Sequence, residues 1–134
     1  MKLLLLLLIL ILAVPVLYFL MIMPRIAYKP DTSPFLGWLY AHRGLHDNKA
    51  RIPENSLAAF RRAVEAGFGI ELDVQMSKDG IPVVFHDFTL KRICGAEGKV
   101  SDYTFQELQQ FALCGSEERI PGFADVLKLV DGKV

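Results

Sequence analysis

The feature that most constrains this chain is an uncharged, apolar run over residues 3–23, interrupted only by Pro15 and closed by Pro24 and Arg25. A helix rising about 1.5 Å per residue carries such a run roughly 30 Å, the thickness of a bilayer's hydrocarbon core. Residues 1–24 are therefore expected to form a single-pass transmembrane helix that anchors the chain to a membrane. Pro15 is tolerated there if its freed carbonyl is satisfied locally. A cleaved signal peptide is the rival reading, but its apolar part usually spans about 7–15 residues and ends on small residues. "FLMIMPRIAYKP" offers no such ending. Lys2 and the amino terminus on one flank balance Arg25 and Lys29 on the other, which leaves open the side of the membrane that carries the rest. Residues 24–36 hold three prolines with Asp31, Thr32 and Ser33. That composition resists regular structure, so 25–36 reads as a juxtamembrane linker and 37–134 as the folded part.

Lys plus Arg and Asp plus Glu number 15 each. The balance gives no general attraction to nucleic acid, so function rests on local placement of charge. Cys94 and Cys114 are not closely spaced and read as two buried thiols, with one disulfide as the alternative outside the cytoplasm. "WLYAH" (38–42), between Gly37 and Gly44, reads as a buried strand. A helix follows, capped by Asn55 or Ser56, with Leu57, Phe60 and Val64 at helical spacing and Gly67 as its left-handed stop. "IELDVQM" (70–76) alternates, placing Glu71, Asp73 and Gln75 on one face. Only "SKDG" separates it from "IPVVFH" (81–86), too short for a parallel crossover, so the two form a hairpin. Thr104 and Glu107 make a capping box for a helix over 104–113, and 121–133 holds another amphipathic helix that stops near Gly132.

Charge collects at the ends of these strands. Glu71 and Asp73 on one face would repel if buried together without a cation, and Mg²⁺ or Ca²⁺ resolves that conflict with oxygen ligation. A solvent-facing strand edge is the plainer reading of the same pair. His42 and His86 each close an apolar strand, with Arg43 beside one and Asp87 beside the other. Two imidazoles can divide general base and general acid in displacement at phosphorus, and Arg43 brings a planar fork suited to phosphate oxygens. Asn55 suits either substrate positioning or helix capping, and the roles are compatible. His42 and His46 at four-residue spacing suggest zinc only on a helix, and Gly44 with "DNKARIP" favours a loop.

The ordered blocks "HRG" (42–44), "PEN" (53–55), "ELD" (71–73), "DG" (79–80), "PVVFHD" (82–87), "GKVSDYTFQEL" (98–108) and "IP" (120–121) together resemble the glycerophosphodiester phosphodiesterases, relatives in design of phosphatidylinositol-specific phospholipase C enzymes. The match runs from about 39 to 130. The resemblance implies an α/β fold, the N-terminal part of a (β/α)₈ TIM-type barrel preceded by the transmembrane helix, with its site at the carboxyl ends of the strands. It implies His42 and His86 as the acid/base pair, Arg43 on phosphate, and Glu71 and Asp73 on a divalent metal, Mg or Ca. The implied reaction cleaves a glycerophosphodiester to glycerol 3-phosphate and an alcohol, through a cyclic phosphate formed by a glycerol hydroxyl. The family pattern places a further acidic metal ligand on a strand after Gly132, which this sequence does not include. A barrel needs at least about 200 residues, and residues 37–134 supply about half of one. The alternative is a non-catalytic membrane-anchored module that binds metal or a phosphate headgroup, or is completed by a partner chain. No nucleic acid is expected as partner, and the oligomeric state stays open.

Overall fold

The computed structural model describes residues 2–24 and 29–134, the side chains of Leu3 and Leu6 excepted. It divides into two compact units, Met1–Leu36 and Gly37–Val134.

In the first unit, helix α1 covers Lys2–Ile22, and a single 3-10 turn covers Ser33–Phe35. The transmembrane anchor expected from the sequence is corrected here: among the described residues, no helix is long and apolar enough to cross a membrane. Pro15 lies inside α1, where a proline withdraws a backbone donor and crowds the carbonyl four residues before it. The expected single-pass membrane localisation rested on that anchor and is corrected with it. Of the linker expected over 25–36, residues 25–28, Arg25 among them, lie outside the described residues.

The second unit begins with strand β1 (Tyr40–His42), passes through helix α2 (Leu57–Glu65) and returns in strand β2 (Gly69–Glu71). The two strands pair in parallel, with His42 opposite Glu71. This is the βαβ unit of an α/β fold. Ser56 Oγ caps α2 by accepting from Ala59 N at 3.1 Å, and the chain leaves the helix through Gly67 at φ +70°. The inner face of α2 buries Ala59, Phe60 and Ala63. Phe60 forms one core cluster with Val84 and Val126.

Residues 70–76 do not make the single strand that their alternation predicts. The chain breaks at Leu72 and Asp73, because β2 is committed to β1 whereas strand β3 (Val74–Met76) pairs antiparallel with strand β4 (Pro82–Val84). The expected hairpin is present, with Met76 opposite Pro82. Among the described residues the strands form two two-stranded sheets, β1 with β2 and β3 with β4. Nor is β1 buried as expected: Ala41 is, but Trp38, Leu39 and Tyr40 are exposed, since β1 has a partner on one side alone.

Three short or medium helices complete the unit: α3 (Lys91–Cys94), α4 (Phe105–Leu108) and α5 (Phe123–Val130). A second core cluster of Val83, Phe85, Leu90, Ile93, Val100, Leu108, Leu113 and Ile120 gathers the β4 end with α3 and α4. The Thr104–Glu107 capping box forms, yet α4 stops after Leu108, well before the expected 113. There the chain turns toward an antiparallel bridge between Ala112 and Arg119. Both cysteines are free thiols; Cys94 is half-buried, but Cys114 is exposed, contrary to the expectation of two buried thiols.

Candidate functional site

The parallel pair sets His42 and Glu71 side by side at the carboxyl ends of β1 and β2, where α/β sheets present their ligand-facing groups. His42 Nε2 lies 3.9 Å from Glu71 Oε2. Arg43, one residue on, extends the ladder: its N–H donates to the Glu71 carbonyl at 2.9 Å and to Glu71 Oε2 at 3.2 Å.

Arg43 and Asn55 both adopt positive φ, 58° and 55°. That conformation costs a residue with a Cβ about 1–2 kcal/mol and persists where the surroundings fix it. Here the Asn55 N–H donates to the Arg43 carbonyl at 2.9 Å, tying the two turns together. Gly44 follows at φ +80°, so close to α2 that a Cβ would stand 2.9 Å from the Ala59 Cβ. The loop can therefore lie directly on the helix whose start carries Asn55.

Asp73, in the break between β2 and β3, is where these groups meet. Asn55 Nδ2 donates to Asp73 Oδ2 at 3.1 Å, and Arg43 Nε stands 3.6 Å from the same oxygen. Among the described residues, Arg43 Nε and Asn55 Oδ1 are buried without hydrogen-bond partners, an arrangement that costs about 1–3 kcal/mol per group unless a water, an ion or a ligand satisfies it.

His86 sits two residues beyond β4. Gln75, on β3, fixes that segment through Nε2, whose two N–H donors lie within reach of the carbonyls of Phe85, His86 and Asp87 at 2.8, 3.0 and 2.8 Å. His86 Nδ1 is 2.6 Å from Asp87 Oδ1. Asp87 is held well below the usual carboxylate range, chiefly by hydrogen bonds from Arg92 and then by that from His86. An ionised carboxylate only accepts, so in this contact Nδ1 is the donor.

Glu54 joins the two sides. Its carboxylate accepts from Arg43 Nη1 at 2.7 Å and from Arg92 Nη1 and Nη2 at 2.9 and 2.8 Å. The Arg92 bonds, with Arg43 second among the partners, pull Glu54 from its ordinary 4.5 to about 2 against the opposing effect of burial. Hydrogen bonds and ion pairs thus run from Glu71 through Arg43, Glu54, Arg92 and Asp87 to His86, with Asp73 and Asn55 attached at Arg43 and His42 lying 3.9 Å from Glu71. All six residues singled out from the sequence lie on this network, although the two imidazoles are not in contact. Glu54 and Arg92 were not singled out; the clue available was two carboxylates, in "PEN" and "FHD", with no cation assigned to them.

For a metal, Glu71 and Asp73 are the acidic pair, both touching Arg43. Among the described residues, no group of three or more His, Cys, Asp or Glu side chains is gathered closely enough to hold an ion.

The fold and this cluster define an α/β protein with a polar, charge-dense site at the carboxyl ends of its strands. The model of the glycerophosphoryl diester phosphodiesterase family matches residues 42–134, and the chain belongs to that family. It is 46% identical over 100 residues to a glycerophosphodiester phosphodiesterase of Caldanaerobacter subterraneus, a match covering 69% of this chain and 40% of that protein. Against human glycerophosphodiester phosphodiesterase 1 the identity is 44% over 72 residues, covering 52% of this chain and 20% of that one. A phosphodiesterase from Oleispira antarctica, solved with its product sn-glycerol-3-phosphate, superposes with a TM-score of 0.65 at 32% identity, covering 76% of this chain and 43% of its own. The chain thus spans well under half the length of these relatives.

Proposed function

We propose that residues 37–134 carry the acid–base and phosphate-binding groups of a phosphoric diester hydrolase that cleaves glycerophosphodiesters to glycerol 3-phosphate and an alcohol. The observation that carries this reading is the connected network that joins His42 and His86 through Arg43, with Glu71 and Asp73 alongside. The product bound to the Oleispira relative supports the substrate class.

In this reading one imidazole takes the proton of the attacking glycerol hydroxyl and the other protonates the leaving alkoxide, and the cyclic phosphate so formed is then opened by water, with the same pair moving the protons in reverse, to give glycerol 3-phosphate. His86, with Nδ1 committed to Asp87, works through Nε2. Arg43 lies against the phosphoryl oxygens, and Asn55, whose Oδ1 lacks a partner, accepts from a substrate hydroxyl. Glu71 and Asp73, two carboxylates that both contact Arg43, would supply the oxygen ligands that a hard divalent cation, Mg or Ca, takes. Such an ion supplies Lewis-acid stabilisation of charge on the phosphoryl group.

The test follows glycerol 3-phosphate release by ³¹P NMR with Mg²⁺, Ca²⁺ or chelator. Divalent-dependent turnover that drops about 10²–10⁴-fold in His42→Ala and in His86→Ala is expected. Turnover in His42→Ala at the wild-type rate defeats the reading. The open outer edges of β1 and β3 favour a second reading, a module that binds metal or a phosphate headgroup and turns over only when a partner chain completes the barrel. Calorimetric binding of glycerol 3-phosphate without turnover would identify it.

A further inference from the structure

Arg92 belongs to none of the roles assigned above, yet it is the most heavily engaged cation in the site. Its Nε and Nη2 donate to the two oxygens of Asp87 at 2.7 and 2.8 Å. Its Nη1 and Nη2 donate to the two oxygens of Glu54 at 2.9 and 2.8 Å. A guanidinium offers five N–H donors in one plane, and four are used in two forks that share Nη2. One fork rests on a nearly buried carboxylate, whose side chain is 9% exposed and which is itself pinned by Arg43. The other rests on a carboxylate that touches His86. Glu54 is therefore the fixed end and Asp87 the movable one.

We propose that Arg92 is a positioning residue for His86: anchored on Glu54, it holds Asp87 in the one orientation that keeps the imidazole proton on Nδ1 and leaves Nε2 open to the reacting phosphodiester. The catalytic consequence rests on the function proposed above, but the orientation itself does not. Asp87 adjoins His86 in sequence, and its carboxylate has rotational freedom that adjacency alone does not remove. With both Asp87 oxygens taken by Arg92, Oδ1 is presented to His86 Nδ1 at 2.6 Å. A lysine at this position would keep the charge but not the planar double fork, so charge and geometry separate experimentally.

The experiment is ¹⁵N NMR of the histidine side chains in the full chain, comparing wild type with Arg92→Lys and Arg92→Gln, and using Arg61→Gln on the exposed side of α2 as a control. Wild type and the control are expected to hold His86 in the Nδ1–H tautomer by about tenfold or more, as a charge-assisted hydrogen bond allows. Both Arg92 variants are expected to lose that excess, the lysine included. An unchanged His86 tautomer ratio in folded Arg92→Lys overturns the proposal. So does failure of both variants to fold, since Arg92 would then serve the fold and not the imidazole. A locked tautomer in a chain without turnover would defeat the catalytic reading and leave this one standing.

Discussion

Glu54 shows what a single side chain contributes here. It is nearly buried, it lies between the guanidiniums of Arg43 and Arg92, and its acidity is set by them. Its folded-state value of about 2 lies below its ordinary 4.5, so the stability it contributes is present above pH ~4.5 and is lost as pH falls toward 2. The difference corresponds to about 3 kcal/mol. Glu54→Gln is expected to cost about that much at pH 7, because it leaves two guanidiniums facing each other in a nearly buried position. Urea unfolding across pH 2–7 checks this. The gap between wild type and variant should close as the pH drops, and a pH-independent gap would contradict the assignment. Glu54 and Arg92 also mark the limit of what sequence pattern conveys. His42, Arg43, Glu71 and Asp73 were legible because ionisable groups at the end of an apolar strand are conspicuous within a few positions. The Glu54–Arg92 pairing spans 38 positions, and no local spacing encodes a contact of that range.

At the scale of elements, the β1–α2–β2 unit presents the site, and the fit of the β1 loop onto α2 is its tightest point. Gly44 has φ +80°, and an added Cβ would meet the Ala59 Cβ at 2.9 Å and the Ala59 backbone carbon at 3.0 Å. Gly67, at the other end of α2, has φ +70° with nothing within 4 Å. Gly67→Ala therefore costs backbone strain alone, about 1 kcal/mol, whereas Gly44→Ala adds overpacking against a helix backbone that cannot yield. A loss of about 2–4 kcal/mol is expected for Gly44→Ala, with a weaker hold on Arg43 next to it. Parallel denaturant curves of the two variants decide the matter, and equal losses would refute the close approach. The caps of these elements were legible, because Ser56, Thr104 and Gly67 act on neighbours within four residues. The break at Leu72 and Asp73 was not. Its cause is that β2 and β3 choose different partners, a decision made by tertiary pairing. The alternation of 70–76 is compatible with either outcome.

For the molecule as a whole, every buried apolar side chain among the described residues belongs to the second unit, from Ala41 to Val126. Its two core clusters share the β4 end, where Val83 faces one and Val84 the other. A strand that feeds both cores couples them, so residues 37–134 are expected to unfold in one cooperative transition and to do so without residues 1–36. The same unit leaves apolar surface uncovered: Trp38 and Leu39 before β1, Val74 and Met76 on β3, and a groove of about 420 Å³ lined by Ile81, Pro82, Phe105, Phe123 and Leu127 among others. Among the described residues β3 pairs with β4 alone, and an unpaired strand edge flanked by apolar side chains invites pairing with another chain. A chain of residues 37–134 is therefore expected to show a single thermal transition whose midpoint depends on protein concentration, together with self-association in sedimentation. Met76→Lys, a charge on the open edge, should reduce that association and change the low-concentration midpoint by only a few degrees. Two separate transitions would break the coupling argued through Val83 and Val84, and association undiminished by Met76→Lys would place the sticky surface elsewhere.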